Sequence, residues 1–544
     1  MEQGATAEPA GEPAPTHARR RGGRHFRATD RPPPRRRWAR RLLVAVNAFV
    51  AVCLIGAGSV YGYVRYRFSE VKKVSLPGLR AHLPAPIEGK KPPMNILLVG
   101  SNNRSDLDPS EAAQFGSGSD VPGARSDVTM ILHLDPSSGA ASLLSIPRDL
   151  FVPLPPKSIA GAVGKIDAAL NDGPEHLVEA VSGSLGIPID HYIELNFDGF
   201  QHVIDAMGGV NMNFPTKLRD VYSSLDITQT GCLHLNGSSA LAVVRARHLQ
   251  YFSNGQWLDD PQSDLSRIRR NHVFLKVFVD AVKSKGLNDP LRANAVLGSL
   301  VNQITVDSGF GLGGILNVLR GYRTIDPNTV PTTTLPITVV GNYHWRGGSY
   351  GDVDMPVEPL DQQVVNAFLG RSPASPATPS VSVQLVNTSG SYGRLATVAQ
   401  QLGAAGFTVA SSTQGSAPAP VSETVIHYHP GSLDQARQVL SVLQGAVMMY
   451  PDATIADGVV SVDIGSVLAV GAPAGPLVAA PAVGTSSTST STSTSTSTST
   501  LPVTSGAASS STSTSTTSST IPTPGGQPIS SYTDQPSAFD PTAC

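Results

Sequence analysis

The segment "MNILLVGSNNRSD", Met94–Asp106, predicts a buried strand that opens onto a binding loop. An apolar run ends at Gly100 and gives way to small polar residues, as strands do before a phosphate-binding turn. The lysine and the second glycine of a nucleotide P-loop are missing, however, so a nucleotide is not predicted here. The loop offers Ser101, Asn102, Asn103 and Arg104 instead, and its ligand has to be inferred from other parts of the chain.

Charge is distributed unevenly along the 544-residue chain, although the net charge is only −1. Residues 1–41 carry eleven Arg against four acidic side chains, together with many Pro, Gly and Ala. Because such a segment buries too little apolar surface to offset its chain entropy, a disordered basic tail is predicted. No nucleic-acid-binding motif accompanies these arginines, so nucleic acid is not an expected partner.

Residues 42–64 form an uncharged segment of 23 residues, "LLVAVNAFVAVCLIGAGSVYGYV". This is the length that a helix needs to cross a bilayer, and it is longer than the apolar core of a signal peptide. We therefore predict a single uncleaved transmembrane helix. Since arginine-rich flanks remain in the cytoplasm, the chain from Arg65 onward is predicted to be extracytoplasmic.

The region 93–371, which follows a polar stalk at 65–92, alternates strand-like and helix-like patterns and is predicted to be one α/β domain. The turn "DPSSG" at 135–139 predicts a hairpin between the two strands that flank it. The predicted strands are 95–100, 128–135, 141–147 and 191–197, and the predicted helices are 175–186, 197–209, 264–286 and several within 288–307.

Three further segments follow this domain. Residues 372–380 are a linker by composition. Residues 381–468 show the order β-α-β-α-β of a small C-terminal α/β domain and no cluster of titratable residues, so a structural or protein-binding accessory is predicted. Residues 469–544 are rich in Ser and Thr and are predicted to be a disordered tail.

The three cysteines of the chain do not predict a disulfide framework or a metal site. Cys53 lies in the predicted membrane helix, and Cys232 is expected to be a small buried residue of the α/β domain. Pairing of Cys232 with Cys544 is not expected, because a long flexible tail would have to bring the two thiols together.

Basic residues recur at the ends of predicted elements in the α/β domain, where convergent side chains can line the mouth of a cleft. If "VVRARH" is extended, the side chains of Arg245 and Arg247 point to one face. On a helix, "DLSRIRRN" places Arg267, Arg270 and Asn271 on one face. The other candidates are Arg125 and Asp127 in "GARSD", Arg148 and Asp149 in "IPRD", and Lys165 and Asp167 in "GKID".

Several guanidinium groups in one cleft require an anion of high charge. Phosphate or pyrophosphate fits, because guanidinium binds phosphate oxygens bidentately. A carboxylate among them, such as Asp127, would bind a divalent cation that bridges the same oxygens, or would act as a base. The alternative is that these arginines are solvated or form structural pairs, for example Arg148 with Asp149.

The motifs of this domain appear in the order that characterises the LytR-CpsA-Psr family, which the chain resembles between Pro93 and about Arg371. They are "NILLVGSNNR", "RSDVTMILHLDP", "LLSIPRDLFV", "KIDAAL", "GIPIDHYIELNFDGFQHVIDAMGGV", "LNGSSALAVVRARH" and "DLSRIRR". The module at 381–466 resembles the LytR C-terminal domain that follows in many actinobacterial members.

The resemblance implies an LCP-type α/β/α fold, in which a central mixed sheet is flanked by helices. It also implies an extracytoplasmic phosphotransferase, which moves a glycopolymer from a polyprenyl-pyrophosphate carrier in the membrane lipid to peptidoglycan and forms a phosphodiester. In this family the lipid enters an apolar tunnel, and arginines together with Mg²⁺ hold the pyrophosphate at its mouth.

Carried over to this sequence, the resemblance assigns roles to residues of the quoted motifs. Arg125 and Arg270 would line or support the site, and Asp127 or Asp149 would orient the acceptor hydroxyl. The metal ligands would be Asp127 and Asn102. The catalytic residues would be Asp127, Arg148, Arg245, Arg247 and Arg267, and the substrate-binding residues would be Arg125, Asp149, Lys165, Arg270 and Asn271.

Two positions depart from the family pattern. The usual Asp after Gly-Ser is Asn102, whose amide oxygen can still coordinate a hard cation but adds no charge, so weaker Mg²⁺ binding is expected. The usual Gln after the last Arg is Asn271, which carries the same donors and acceptor on a shorter side chain.

Two other functions are open at this point. Water could replace the sugar hydroxyl, which would make the protein a polyprenyl-pyrophosphate pyrophosphatase. A decayed site, marked by Asn102, would make it a non-catalytic binder of the cell wall. A transcriptional regulator is disfavoured, because the arginine-rich domain is predicted to lie outside the cell. The sequence does not name the glycopolymer.

Overall fold

The structure is a computed structural model that describes eleven stretches of the chain. They are residues 35–80, 92–102, 123–286, 298, 301, 303–322, 325–345, 347–371, 381–415, 421–471 and 537–544. The predicted basic tail up to residue 34, the loop from Asn103 to Asp106, the linker 372–380 and most of the Ser/Thr-rich tail lie outside them. Two compact units, Met1–Val64 and Arg65–Cys544, are described separately.

The first helix, α1, runs over Arg35–Ser69 and contains the whole predicted membrane segment 42–64. An 18-residue window within its part Arg40–Ser69 has a mean hydropathy of 2.2, and no residue of that window is buried. Among the described residues it is the one helix that is long and apolar enough to cross a membrane. Length and composition thus agree with the predicted span.

The α/β region follows, and its elements match most of the predicted ones. Its helices are α2 (Pro174–Leu185), α3 (Phe197–Ala206), α4 (Gly237–Arg245), α5 (Asp264–Ala281), α6 (Leu312–Tyr322) and α7 (Leu360–Phe368). Its strands are β1 (Lys72–Val74), β2 (Met94–Ser101), β3 (Ser126–Asp135), β4 (Ala140–Ile146), β5 (Phe151–Pro153), β6 (Val163–Lys165), β7 (His191–Asn196), β8 (Val210–Phe214), β9 (Leu218–Asp220), β10 (Leu225–Ile227), β11 (Gly231–Leu235), β12 (Gln250–Ser253), β13 (Gln256–Asp259), β14 (Ile304–Asp307), β15 (Thr332–Thr334), β16 (Ile337–Trp345) and β17 (Gly348–Pro356).

Seven strands form the central mixed sheet, in the order β1-β14-β7-β2-β3-β4-β15. The pairs β2–β3 and β3–β4 are antiparallel, whereas β2–β7 and β4–β15 are parallel. The predicted hairpin is confirmed, since Asp135 on β3 pairs with Ala140 on β4. The predicted fold class, a mixed sheet flanked by helices, is confirmed with it.

The two faces of this sheet have different neighbours. Leu97 pairs in register with Ile131, and both pack with Leu177 of α2 in the main hydrophobic core. The next pair along the strands, Leu98 and Met130, points the other way because side chains alternate, and it lines a cavity. One face of the sheet therefore packs against the main hydrophobic core, and the other face lines the cavity.

The predicted stalk at 65–92 is wrong for its described part. Phe68 and Val71 are buried against Val306, and β1 at Lys72–Val74 extends the central sheet by pairing with β14. Leu79 reaches the main core. The apolar residues are spaced too irregularly among polar ones to give a helical or strand period, which is why the sequence pattern missed them.

The helices predicted within 288–307 are also corrected at their end. Residues Ile304–Asp307 form strand β14, which lies between β1 and β7. The short segment "ITV" consists of three β-branched residues and favours a strand wherever neighbouring strands can satisfy its backbone. Periodicity alone does not separate such a short apolar run from a helix end.

The small C-terminal domain is an α/β module, as predicted, but contains more strands than the sequence indicated. Its five-stranded sheet has the order β19-β18-β23-β20-β22, and β19 and β22 were not predicted. The elements are β18 (Ser382–Asn387), α8 (Tyr392–Ala404), β19 (Thr408–Gln414), β20 (Thr424–Tyr428), α9 (Leu433–Leu440), β21 (Leu443–Gln444), β22 (Val447–Pro451), β23 (Val459–Ile464) and β24 (Ala469–Val470).

This small domain packs directly against the α/β domain. Val425 and Met448 share one hydrophobic cluster with Phe151 and Val353 of the larger domain. The hydroxyl of Tyr428 donates a hydrogen bond to the carbonyl of Gly183 at the end of α2, at 3.0 Å. The two domains therefore share an apolar interface.

The expectation that Cys232 does not pair with Cys544 is wrong. The two residues form a disulfide with their Cα atoms 5.7 Å apart, and Cys232 is exposed on β11 rather than buried. Strand β25 (Thr542–Ala543) adds antiparallel to β8, next to β11. The low complexity of the preceding tail concealed an ordinary folded segment, "SAFDPTAC", at 537–544.

Removal of the disulfide by a Cys232→Ser/Cys544→Ser double substitution is expected to lower the free energy of unfolding by about 2–5 kcal/mol. The bond closes a sequence separation of 312 residues and so restricts the unfolded chain strongly. Thermal unfolding of the two proteins measures the difference. A thiol count of one free cysteine in the native protein checks that the bond forms, and equal unfolding temperatures would contradict this stabilising role.

Candidate functional site

A cavity of about 460 Å³ lies between helices α3, α4 and α5 and the face of the central sheet that carries Leu98 and Met130. Most of its lining is apolar, from Leu98 and Met130 on the sheet to Phe200 and Phe274 on the helices. The predicted site residues that line it are Asn102, Asp127, Arg148, Arg245, Arg247, Arg267 and Asn271. Seven predicted residues from five separate segments are thus brought to one cavity.

Arg148 is held by carboxylates on two sides. It donates a hydrogen bond to Asp127 on β3, and its Nη2 lies 2.7 Å from Asp167 Oδ2. Burial lowers the pKa of Arg148, but the attraction of Asp127 and the other nearby carboxylates outweighs this effect and raises it. The guanidinium is therefore charged and fixed in position before any ligand binds.

Asp149 joins two other cations. Its Oδ1 lies 2.9 Å from the ammonium of Lys165, and its Oδ2 accepts a hydrogen bond from Arg247 Nη2, also at 2.9 Å. Burial would raise the pKa of Asp149, but Lys165, Arg148 and Arg247 together lower it. Asp149 and Lys165 are not among the cavity-lining residues, so they support the arginines from behind.

Asp264, at the start of α5, pairs with both Arg247 and Arg267. Its Oδ1 lies 3.1 Å from Arg247 Nε and 2.9 Å from Arg267 Nη2. The carboxylates Asp127, Asp149, Asp167 and Asp264 and the cations Arg148, Lys165, Arg247 and Arg267 thus form one ion-pair network. Such a network keeps like charges close together in a partly buried place.

Arg245 reaches the cavity by a different geometry from the predicted one. It is the last residue of α4, and Ala246, which follows it, has left the helical conformation, so the segment is a helix end rather than a strand. The guanidinium lies 4.5 Å from the ring centroid of Phe197, a cation–π contact. Arg245 and Arg247 nevertheless line the same cavity.

Arg267, Arg270 and Asn271 lie on one helix as predicted, but they do not share one environment. Arg267 and Asn271, one turn apart on α5, line the cavity. Arg270 is fully buried and donates a hydrogen bond to the carbonyl of Ala246. Its assignment as a substrate-binding residue is therefore corrected: it supports the site and does not line it.

Asn102 and Arg125 meet where β2 and β3 end. The Asn102 side-chain oxygen accepts a hydrogen bond from the backbone N–H of Arg125 at 2.8 Å, and the Asn102 N–H donates to the Arg125 carbonyl at 3.1 Å. These two hydrogen bonds therefore join the residue after β2 to the residue before β3. Arg125 is not among the residues that line the cavity.

Charged and apolar linings follow one another along α5. Arg267 and Asn271 come first, and Phe274 and Phe278 come one and two turns later on the same cavity. With a rise of 1.5 Å per residue, Phe278 lies about 16 Å beyond Arg267 along the helix axis. The cavity therefore has a cationic end and an aromatic, apolar end.

Three acidic residues of this region were missed by the sequence analysis. Asp264 could have been found, because it precedes Arg267 by three residues on a helix, a spacing that pairs opposite charges. Asp220 accepts hydrogen bonds from the backbone N–H groups of Arg247 and His248, at 2.8 and 2.9 Å. Neither Asp220 nor Asp354, whose N–H donates to the Asp149 carbonyl, carries a recognisable sequence signal.

Two carboxyl groups, Asp167 of the network and Asp354 beside it, are buried strongly enough to hold their protons at higher pH than usual. Burial raises the pKa of Asp167 to about 6, although Arg148 opposes the shift. Burial, with repulsion from Asp149 and Asp264, raises the pKa of Asp354 to about 8. Asp354 is therefore mostly protonated at neutral pH and adds little negative charge.

Comparison with known proteins gives two matches to family models. The sequence model of the LytR_cpsA_psr family matches residues 67–356, which is more than half of the chain. The chain belongs to the LytR_cpsA_psr family. A second model, described as LytR cell envelope-related transcriptional attenuator, matches residues 380–467, the small C-terminal domain.

Curated relatives of this LytR_cpsA_psr protein include two cell wall proteins. It is 34% identical over 251 residues to the probable cell wall biosynthesis protein LcpB of Corynebacterium glutamicum, covering 46% of this chain and 56% of LcpB. It is 29% identical over 259 residues to TagV of Bacillus subtilis, named a polyisoprenyl-teichoic acid–peptidoglycan teichoic acid transferase, covering 45% of this chain and 59% of TagV. The match thus spans between half and two thirds of each relative.

Solved structures to which this chain is similar include a LytR-Csp2A-Psr enzyme from Actinomyces oris. The superposition has a TM-score of 0.41 and 22% sequence identity, and it covers 56% of this chain and 96% of the other.

Substitution Asp167→Asn is expected to change how stability depends on pH. The pKa of Asp167 is about 6 in the folded protein and about 3.9 in an unfolded chain, so the folded state binds the proton more tightly. The stabilisation that this proton adds to the free energy of unfolding is fully present below about pH 4. It is lost as the pH rises through about 6, and the total loss is up to about 3 kcal/mol.

Denaturant unfolding of the wild type and of Asp167→Asn at several pH values between 4 and 7 measures this contribution. The variant should show a weaker loss of stability across that window. Asp226→Asn, an exposed carboxylate on β10, is the matched control and should follow the wild type. Identical pH profiles for the wild type and Asp167→Asn would contradict the assignment.

Proposed function

We propose that this protein is a membrane-anchored, extracytoplasmic phosphotransferase that moves a glycopolymer from a polyprenyl-pyrophosphate carrier to peptidoglycan. One observation carries the proposal: Arg148, Arg247 and Arg267 are fixed by carboxylates at one end of a cavity whose other end is aromatic and apolar. A ligand that fills both ends must join a multiply charged anion to a long hydrocarbon. The printed names of relatives such as TagV support the same substrate class.

The reaction is a phosphoryl-type transfer. The acceptor hydroxyl oxygen attacks the phosphorus that carries the glycan, the bond from that phosphorus to the bridging oxygen breaks, and polyprenyl phosphate leaves. Charge builds up on the bridging and terminal oxygens as this bond breaks. Arg148, Arg247 and Arg267 are already oriented in a partly buried place, so they stabilise this charge without reorganising.

The acceptor hydroxyl has to lose its proton, and Asp127 is the best-placed carboxylate to take it. Asp127 lines the cavity, whereas Asp149 lies behind Arg247 and Lys165. The hydrogen bond from Arg148 orients the Asp127 carboxylate. Of the two carboxylates predicted to orient the acceptor hydroxyl, Asp127 and Asp149, we therefore propose Asp127.

Mg²⁺ is the cofactor that we propose for this site. No group of three or more His, Cys, Asp or Glu side chains could hold a metal ion by itself within the described part of the chain. Asp127 and Asn102 nevertheless bring two oxygen donors to the cavity, and Mg²⁺ commonly takes one or two protein ligands together with substrate phosphates. Bound there, Mg²⁺ would supply neutralising charge to the pyrophosphate oxygens.

The topology is part of the proposal. Helix α1 meets the length and composition of a membrane span, and the arginine-rich residues before it favour a cytoplasmic N-terminal side. The Cys232–Cys544 disulfide supports an extracytoplasmic position for the rest, because disulfides persist in oxidising compartments. The partners on that side are then the lipid-linked glycan, peptidoglycan and the membrane lipid.

Pyrophosphatase activity is the second candidate, since water can reach the same phosphorus when no acceptor is bound. A cell-wall binder without activity is the third, and the ion-pair network argues against it. A binder needs only attraction to its ligand. Four carboxylates that fix the orientation of the cations are suited instead to stabilising the charge that builds up on the phosphate oxygens during the reaction. Both candidates are distinguished from the transferase by the products formed.

Transfer activity is expected from the full chain in nanodiscs, supplied with a polyprenyl-pyrophosphate-linked glycan, peptidoglycan fragments and Mg²⁺. Arg247→Ala is expected to lower kcat/KM by about 10²–10³-fold, because the guanidinium that links Asp149 and Asp264 is lost. Mass spectrometry of the peptidoglycan measures transfer, and released polyprenyl phosphate measures bond cleavage.

Arg219→Ala is the matched control, since Arg219 lies on β9 outside the cavity and bonds to Gln250. Cleavage without a glycan–peptidoglycan product would favour the pyrophosphatase. A folded protein that gives neither product would leave only the binding function. Full activity of Arg247→Ala would show that the cationic end of the cavity is not the reacting site.

Asn102→Asp is expected to lower the Mg²⁺ concentration needed for half-maximal activity by about tenfold. The carboxylate adds a negative charge next to Asp127 and can keep the hydrogen bond from the Arg125 N–H. Calorimetric titration of Mg²⁺ in the presence of inorganic pyrophosphate gives the affinity independently of turnover. Asn211→Asp, an exposed position on β8, should change neither quantity; an unchanged Mg²⁺ affinity in Asn102→Asp would exclude Asn102 as a ligand.

A further inference from the structure

The segment 537–544, here called the C-terminal clasp, is an integral part of the α/β domain. Phe539 stacks on Tyr251 with ring centroids 4.2 Å apart and belongs to the hydrophobic cluster of α3, α4 and α5. Strand β25 pairs with β8, and Cys544 is bonded to Cys232. The clasp is reached through a Ser/Thr-rich segment, yet its own side chains are packed and paired.

Asp540 of the clasp is buried between two guanidinium groups of α5. Its Oδ2 accepts a hydrogen bond from Arg269 Nε at 2.9 Å and another from the Ser537 N–H at 2.8 Å. Its Oδ1 lies 3.9 Å from Arg270 Nη1. Asp540 is only 2% exposed, so water does not screen these contacts.

Arg270 connects this buried layer to the cavity. It donates a hydrogen bond to the carbonyl of Ala246, the residue between the cavity-lining Arg245 and Arg247. On the far side of that turn, Asp220 accepts hydrogen bonds from the backbone N–H groups of Arg247 and His248. The backbone that carries both arginines is therefore held from one side by Arg270 and from the other by Asp220.

The charges of the buried layer balance only when the clasp is in place. Arg269 and Arg270 are the two cations, and Asp260 and Asp540 are the two carboxylates that face them. Burial lowers the pKa of Arg270 to about 10, while Asp260 and Asp540 oppose the shift. Without Asp540, Arg269 would lose the carboxylate that pairs with it in the described part of the chain, and Arg270 would keep Asp260 at 3.6 Å.

We propose that Asp540 is a positioning residue for the pyrophosphate site: it holds Arg269 and Arg270, and through the Ala246 carbonyl it sets the positions of Arg245 and Arg247. This inference rests on the proposed function for the identity of the ligand, but the structural coupling stands on its own contacts. The clasp thus makes a residue that is remote in sequence a determinant of the cationic end of the cavity.

The test uses the full chain in nanodiscs and three substitutions. Asp540→Asn removes the charge and keeps the shape, Asp540→Glu keeps the charge on a longer side chain, and Asp226→Asn on β10 is the exposed control. Hydrogen–deuterium exchange of peptides covering 243–250 reports on the turn at Ala246. Calorimetric titration with inorganic pyrophosphate reports on the site itself.

For Asp540→Asn we expect about tenfold faster exchange in 243–250 and about tenfold weaker pyrophosphate binding, with unchanged exchange in the domain at 381–471. Asp540→Glu should recover most of both losses, and Asp226→Asn should match the wild type. A general loss of stability would instead accelerate exchange throughout the chain.

The proposal would be overturned if folded Asp540→Asn exchanged residues 243–250 at the wild-type rate. It would also be overturned if Asp540→Asn and Asp540→Glu showed equally fast exchange and equally weak pyrophosphate binding. Failure of both variants to fold would assign Asp540 to folding alone and would also overturn it. A wild type that binds no pyrophosphate would contradict the proposed function instead, and the exchange rates would then decide the role of Asp540 by themselves.

Discussion

Ion pairs between guanidinium groups and carboxylates at the cationic end of a largely apolar cavity are the interaction on which the rest of the site depends. Like charges at close distance repel one another strongly in a partly buried place, and Arg148, Arg247 and Arg267 converge only because Asp127, Asp149, Asp167 and Asp264 separate them. The network also fixes each side chain before a ligand arrives. Preorganised charge of this kind is what a transfer reaction at phosphorus needs.

The fold supplies this network from elements that are far apart in the chain. Strands β2 and β3 bring Asn102 and Asp127 to the same end of the central sheet. Helix α4 ends at Arg245, and α5 begins at Asp264. The sheet alternation that buries Leu97 also turns Leu98 towards the cavity, so one strand builds both the core and the apolar lining. The clasp at 537–544 then closes the layer behind α5, where Asp540 meets Arg269.

Much of the fold and the site could be predicted from the sequence, because the signals were local. Apolar runs and turn residues predicted β2, β3, β4 and the hairpin between the last two, and motif order brought together the residues now found around the cavity. The errors came from long-range effects. Strand β1 and strand β14 are too short to be recognised alone, and each is stabilised by pairing with the other. Arg270 has the spacing of a site residue, and only packing places it against Ala246.

The sequence by itself determined the apolar helix that is long enough to cross a membrane, the two α/β domains and the set of cationic residues, since composition and periodicity depend on neighbours along the chain. Only the tertiary structure decided which carboxylate holds which arginine, that Asn102 bonds to Arg125, and that Cys232 pairs with Cys544. The physical reason is that most of these contacts join residues tens to hundreds of positions apart, whereas the pair Asp264–Arg267 follows from local helical spacing. Their energies depend on distance and burial, and no local pattern encodes either quantity.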